Sequence, residues 1–267
     1  MKSKGFQIVD FPKSRVATFD VGKIGLKKHH IAGFLEIDVT DARARLKQLK
    51  ASKHKVSFFA WVLKVIADTI VEYPAIQAIN LRGRKQVLFD DVDISIPVER
   101  EVDGVKVPLA TVIRAVNRKS VEEIYAEIQA AQRKPIDTEG DLVLAERKNQ
   151  RMTGLFFSMP QWLRMLVWKF ILRNPFSQKE NMGTVIVTTI AGAGKFPGWI
   201  LPRSMHNLNC SVGSIVKKPW VASGSIEIRE ILYLTVIFNH DVIDGAPAAR
   251  FTTKLVHNLE HAHMQGD

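Results

Sequence analysis

His240 and Asp244 stand four residues apart in VIFNHDVIDGAPAARF (Val236–Phe251), where a β-branched run gives way to a helical pattern. An imidazole titrates near neutrality and can take or give a proton, and a nearby carboxylate can fix its tautomer or the local backbone. The same residues have plainer uses. His240 can end a strand with its ring on a backbone carbonyl, and Asp244, beside Gly245 and Pro247, can cap a helix. On this segment alone both readings of each residue stay open. The other reactive types carry less. Cys210 lies in an apolar strand pattern and reads as core. Gly192, Gly194 and Gly198 form a loop without the strand-turn-helix context of a phosphate fingerprint. His257, His261 and His263 fall on the last helix and read as an exposed tail, so no metal site is expected.

The elements that must position His240 are legible around it. Ile231 to Phe238 is a buried strand by its Val, Ile, Phe, Tyr and Thr content, and Ala246 to His263 carries Ala248, Phe251, Leu255, Val256 and Leu259 at helical spacing. Upstream, His29 to Thr40 reads as a strand and Asp41 to Lys50 as a basic helix. Ser57 caps a strong helix that Pro74 ends, with Phe58, Trp61, Val62, Val65, Ile66 and Ile70 on its buried stripe. VDISIPVEREVDGVKVPLATVIRA alternates through two strands about an Asp103-Gly104 turn. Ser120 and Glu123 form a capping box for the helix that follows. MGTVIVTTIAG and NCSVGSIVKKPWV add strands on either side of a Gly-rich loop. The pattern predicts an α/β (α+β) fold: helices over a mixed, largely antiparallel sheet.

Composition bounds the function. With 46% hydrophobic residues the 267-residue chain can bury a sizeable core. No repeat or low-complexity tract marks a linker, so a single domain is expected. A single cysteine excludes an internal disulfide framework and fits a reducing compartment, the cytoplasm. The start, MKSKGFQIVDFPKSR, has no apolar stretch of the kind a secretory leader carries. The net charge of +11 invites nucleic acid, yet Lys and Arg are scattered among 27 acids and no nucleic-acid-binding signature is found. A solvated basic surface, or attraction to a phosphorylated cofactor or anionic membrane, is the better account.

Read with its neighbours, NHDVIDGAPAARF resembles the His-x-x-x-Asp-Gly signature of the dihydrolipoyl acyltransferases of 2-oxoacid dehydrogenase complexes and of chloramphenicol acetyltransferase. ISIPVEREVDGVKVPLATVIRAVNRKSVEEI, MGTVIVTTIAGAGKF and SVGSIVKKPWV are similar to further segments of that family, in family order, so the resemblance covers most of the chain from about Phe6. It implies the chloramphenicol acetyltransferase-like fold and direct acyl transfer to or from coenzyme A, with His240 as general base. Asp244 is then expected to hold the turn through a salt bridge or backbone bonds. The family's oxyanion donor, a serine hydroxyl, falls on Thr188, with Thr189 as the fallback. Family members of one lobe form trimers, so a homotrimer with the site at an interface is expected, Thr188 facing His240 across it. The chain departs from the family's usual Asp-His-Arg in having Asn239-His240-Asp241, and shows no lipoyl or subunit-binding segment and no Ala/Pro-rich linker. Condensation-type relatives carry paired histidines in a longer chain, which Asn239 argues against. A non-catalytic scaffold that keeps the fold is the rival from another class.

One segment stands outside the resemblance. Between about 133 and 182 the chain inserts a polar stretch and then an apolar one, in which Pro160 starts a helix and Pro175 ends it. Apolar residues surround a thin polar edge of Arg164, Lys169 and Arg173. Such a helix is about 21 Å long, short of a bilayer's core. Packing on the protein or a neighbouring subunit, an interfacial membrane contact, or a lid over the acyl tunnel are the uses open to it.

Overall fold

The computed structural model describes residues 5–6, 15–102, 105–133, 156, 158–190, 194 and 196–262. In chain order its elements are α1 (Arg15–Gly25), β1 (His30–Asp38), α2 (Thr40–Ala51), α3 (Phe58–Glu72), β2 (Ile79–Leu81), β3 (Lys85–Val87), β4 (Ile94–Val102) and β5 (Val105–Ile113). There follow α4 (Val121–Arg133), α5 (Gln161–Arg173), α6 (Pro175–Met182), β6 (Val185–Thr189), β7 (Leu208–Ala222), β8 (Ser225–Asn239) and α7 (Gly245–Glu260). Six strands form one sheet in the order β1-β8-β7-β6-β4-β5, and β2 and β3 pair separately. The β1/β8, β7/β8 and β4/β5 pairs are antiparallel, while β6 runs parallel to both its neighbours. The mixed sheet expected from the sequence is the one observed.

The strands alternate, and one face of the sheet is covered by helices. Val185 and Val187 of β6, Leu208, Cys210 and Val212 of β7 and Leu232, Leu234, Val236 and Phe238 of β8 join the same core cluster as α2, α3, α4 and α7. Helix α3 is the centre of that layer. Ser57 Oγ accepts from the Ala60 N–H at its start, and Trp61, Val62, Leu63, Val65, Ile66 and Ile70 are fully buried. Burying one such side chain stabilises by about 1.5–3 kcal/mol, so α3 fixes the plane on which the sheet rests. The capping box is also formed: the Glu123 N–H donates to Ser120 Oγ and the Ser120 N–H to Glu123 Oε2. The tip of the β4/β5 hairpin, Asp103-Gly104, lies outside the described residues.

The opposite face is mixed, with Asn209, Ser211 and Thr235 buried beside Tyr233 and Ile237. Trp199 packs edge-on against Tyr233 at 4.7 Å and donates its Nε1–H to the Leu35 carbonyl. Gly213 lies at a bulge in β7, where a Cβ would come within 2.7 Å of the Tyr233 carbonyl oxygen. Gly183 ends α6 at φ +73°, and a Cβ there would meet the Asp93 carbonyl oxygen at 2.6 Å. Only glycine lets the chain pass this close to β4 and enter β6 in register.

The apolar segment after Pro160 differs from expectation at its end. Pro175 does not merely stop α5. It is the first residue of α6, whose N-cap, Asn174, accepts from the Phe176 and Ser177 N–H groups. A proline at the first helical position needs no N–H there, so one residue ends one helix and starts the next. With α1, these helices build a second, smaller core of Ile24, Trp168, Ile171, Met182 and Met205.

Candidate active site

The turn that carries His240 is tied down on both flanks. Pairing of β1 with β8 ends at His30 opposite Asn239, and the next N–H, that of His240, donates to the His29 carbonyl at 2.7 Å. The Asn239 carbonyl accepts from the Val242 and Ile243 N–H groups, and its side-chain Oδ1 from the Asp241 N–H at 3.2 Å. Ile243, 3% exposed, plugs the turn into the helix-side core. The backbone is therefore fixed while the His240 side chain stays exposed.

A polar clamp surrounds this turn. Asn207 Oδ1 accepts from Lys28 Nζ at 2.8 Å and from Asn239 Nδ2 at 3.0 Å, and Asn207 Nδ2 donates to the Ala78 carbonyl at 2.7 Å. Burial makes the Lys28 ammonium costly and draws its pKa down to about 8, against a smaller opposing pull from Asp241. The His29 ring donates from Nδ1 to Asp241 Oδ1 at 2.6 Å, and this bond holds the Asp241 carboxyl below its ordinary range. His206 is buried beneath, its pKa lowered to about 4 by desolvation. It is neutral, with Nε2–H donating to the Met182 carbonyl and Nδ1 accepting from Ser204 Oγ.

Asp244 does not do what the sequence suggested. It occupies the N-cap position of α7 with extended backbone, but its side chain is exposed and makes no capping hydrogen bond. Asn239, Ile243 and the His29–Asp241 pair hold the turn instead. Asp241, the residue after His240, thus has a partner in His29, and the signal for it was the Lys28-His29-His30 run. Lys28 and Asn207 were not singled out from the sequence, because only the fold brings them to Asn239.

Thr188 lies half-buried on β6, directly beside Ser211 of β7, which in turn stands opposite Thr235 of β8. The alternation of β6 separates it from Thr189, which shares the parity of Val185 and Val187. Ser211 Oγ, Thr235 Oγ1 and Asn209 Oδ1 on the same face are buried with no hydrogen-bond partner among the described residues. From Thr235, the partner level with Thr188, β8 runs five more residues to His240. That is about 16 Å along the strand and about 10 Å across two strand spacings, about 19 Å in all. One chain does not bring Thr188 within hydrogen-bond reach of a group held by its own His240.

An open cleft of about 670 Å³ lies just beyond Thr189, lined by Arg43, Lys47, Lys50, Phe58, Ser214 and Glu230 among others. Arg43, Lys47 and Lys50 fall at i, i+4 and i+7 on α2, one face of a helix. Arg43 is engaged with Glu230 at 3.2 Å, and Lys47 and Lys50 are exposed. The chemistry of this donor set suits a phosphorylated ligand with an apolar or aromatic part. Cys210 is buried, its thiol pushed up to about 12, and cannot act as a nucleophile. Among the described residues no cluster of His, Cys, Asp or Glu could hold a metal ion. His257 and His261 stack on each other at 4.1 Å, and His263 lies outside the described residues.

Residues 27–149 and 189–265 match the 2-oxoacid dehydrogenases acyltransferase (catalytic domain) family, and the chain belongs to it. It is 26% identical over 87% of its length to the dihydrolipoyllysine-residue acetyltransferase component of the pyruvate dehydrogenase complex of Corynebacterium glutamicum. It is also 26% identical, over 83% of its length, to the dihydrolipoyllysine-residue succinyltransferase component of the 2-oxoglutarate dehydrogenase complex of Sus scrofa. The chain spans 30% and 42% of those two relatives. A probable dihydrolipoamide acetyltransferase from Listeria monocytogenes superposes with a TM-score of 0.69 over 99% of both chains, at 17% identity. The cubic core of a pyruvate dehydrogenase multienzyme complex gives 0.67, covering 97% of this chain and 93% of that one, at 18% identity. The fold expected from the sequence is theirs. The family match omits 150–188, a stretch that holds α5, α6 and Thr188.

Proposed function

We propose that this chain is a single acyltransferase domain that moves an acyl group between coenzyme A and an acceptor by direct transfer, with 133–182 elaborated upon it. The observation that carries the reading is His240: an exposed imidazole on a backbone fixed by β1, at the family's catalytic signature. His240 takes the proton from the attacking thiol or other acceptor X–H. X then attacks the thioester carbonyl, and the Thr188 hydroxyl donates to the developing oxyanion. Collapse of the tetrahedral centre breaks the C–S bond, and the leaving thiolate recovers the proton from His240. Asp244, at the head of α7, belongs to the wall of this site. Lys47 and Lys50 hold the phosphates of coenzyme A, and Phe58 meets its apolar part.

Thr188 and His240 are too far apart in one chain to share a carbonyl, which supports a homotrimer, or an assembly of trimers, whose sites each lie between two subunits. Such a ring closes a heterologous contact after three steps. The lone buried thiol fits a reducing compartment, and the cytoplasm is the proposed location. The test is a screen of acyl-coenzyme A thioesters against thiol, amine and alcohol acceptors, following free coenzyme A. Wild type should turn over and a folded His240→Ala variant should be about 10²–10⁴-fold slower. No turnover and no coenzyme A binding by the wild type would leave the scaffold reading in its place.

A further inference from the structure

Helix α5 is mounted with Arg164 and Trp168 inward and Trp162, Leu166 and Phe170 outward. Arg164, 7% exposed, donates from Nε to Asp20 Oδ2 at 2.8 Å and from Nη2 to Asp20 Oδ1 at 3.1 Å. Its third nitrogen reaches the Met159 carbonyl, and Trp168 Nε1 also donates to Asp20, which is fully buried on α1. Breaking so buried a pair is costly, so α5 cannot roll about its axis to hide its other side. That other side carries Trp162, Leu166 and Phe170 at i, i+4 and i+8, exposed by 65%, 55% and 81%. The α1 segment beside it adds Phe19 and Leu26, also exposed, and Lys23 reaches across to the Gln161 side chain at 3.3 Å.

Among the described residues of α1 and α5 the exposed charge has one sign. Lys23, Lys27, Lys169 and Arg173 are exposed around the apolar residues. The only acid of α1 or α5 is Asp20, and it is consumed by Arg164. The next helix, α6, has one, Glu180. A second copy of the same patch would set cation against cation, which disfavours a symmetric self-contact. Trp, Leu and Phe on an exposed face ringed by Lys and Arg is the composition of a helix lying in a membrane interface. At 13 residues α5 is about 20 Å long, and no described helix is long and apolar enough to cross a bilayer.

We infer that the α1/α5 face docks this protein on an anionic lipid surface, Trp162, Leu166 and Phe170 entering the headgroup boundary and the four cations meeting lipid phosphates. The purified chain is sedimented with vesicles of phosphatidylcholine alone and with about one-third phosphatidylglycerol. It should pellet with the second and remain in solution with the first, less so as salt rises. Lys169→Glu should weaken the partitioning by about fivefold or more, since each cation near such a surface is worth about 1 kcal/mol. Leu166→Ser with Phe170→Ser, both at exposed positions, should weaken it by about tenfold or more. Trp162→Phe should still pellet but lose fluorescence quenching by brominated lipid. Three outcomes overturn the inference: no pelleting with anionic vesicles, quenching that persists in Trp162→Phe, or a Leu166→Ser/Phe170→Ser variant whose mass by light scattering falls without lipid. The last would make the face a contact between subunits.

Discussion

Two inactive variants, mixed, should make an active enzyme. His240→Ala removes the base and should leave about 10⁻²–10⁻⁴ of the rate. Thr188→Val keeps the branched shape without the hydroxyl and costs about 2.7–4 kcal/mol in the transition state, a loss of about 10²–10³-fold. The strand register puts these residues about 19 Å apart within one chain, so on the proposed function each site would draw its base from one subunit and its donor from the next. In trimers assembled at random from equal amounts, half the bases and half the donors are intact and the two choices are independent. About a quarter of all sites are then whole, and in every mixed trimer one site of its three, so the mixed trimers should reach about a third of wild type, some tens of times above either parent. The two variants are co-expressed with different affinity tags, and the doubly tagged assemblies are purified and assayed for coenzyme A release. Mixed assemblies no more active than their parents would refute the shared site, and a fully active monomer by light scattering would do so on its own.

The remaining expectations concern binding and stability. Lys47→Glu with Lys50→Glu should raise KM for coenzyme A by about tenfold with kcat largely kept, as read by steady-state kinetics; a fall in kcat alone would move the cleft's role elsewhere. Lys28, buried with its pKa drawn from 10.5 to about 8, costs stability wherever both states hold the proton, which is below about pH 8. Between 8 and 10.5 the unfolded chain keeps a proton that the folded one has lost, so stability rises with pH. Lys28→Met should therefore be more stable than wild type at pH 7 by up to about 3 kcal/mol, with the gap closing by pH 10 in urea unfolding; a gap independent of pH would contradict this. Asp20→Ala should destabilise by about 3–5 kcal/mol by stranding the Arg164 charge, and Asp20→Ala with Arg164→Leu should recover much of the loss in the same assay.

What the sequence made legible was local. The Ser57 cap and the Ser120–Glu123 box were readable because both partners lie within three residues. Thr188 could be placed on a strand, and alternation then separates it from Thr189 once the core face is known. The clamp on His240 was not readable, since Lys28, Asn207 and Asn239 meet only when β1, β7 and β8 lie side by side. Asp244 looked like the acid that holds the turn, and the backbone does that work through Asn239. In the insertion, Arg164, Lys169 and Arg173 read as one polar edge. Asp20 divides it, drawing Arg164 inward and leaving the other two in solvent. Asn174 before Pro175 was a start signal that reads equally as a stop.

Strand β8 follows every other strand in sequence, yet it lies between β1 and β7 in the interior of the sheet. While a ribosome is still making it, β1 has no partner at all: His29 must wait for a residue 212 positions later. Pairings of such range form slowly, and unpaired edges attract other chains in the interval. The strand that closes the sheet is also the one that delivers His240. Any lesion that loosens β8 therefore opens two edges in the act of dismantling the site, and lost activity and aggregation should arrive together.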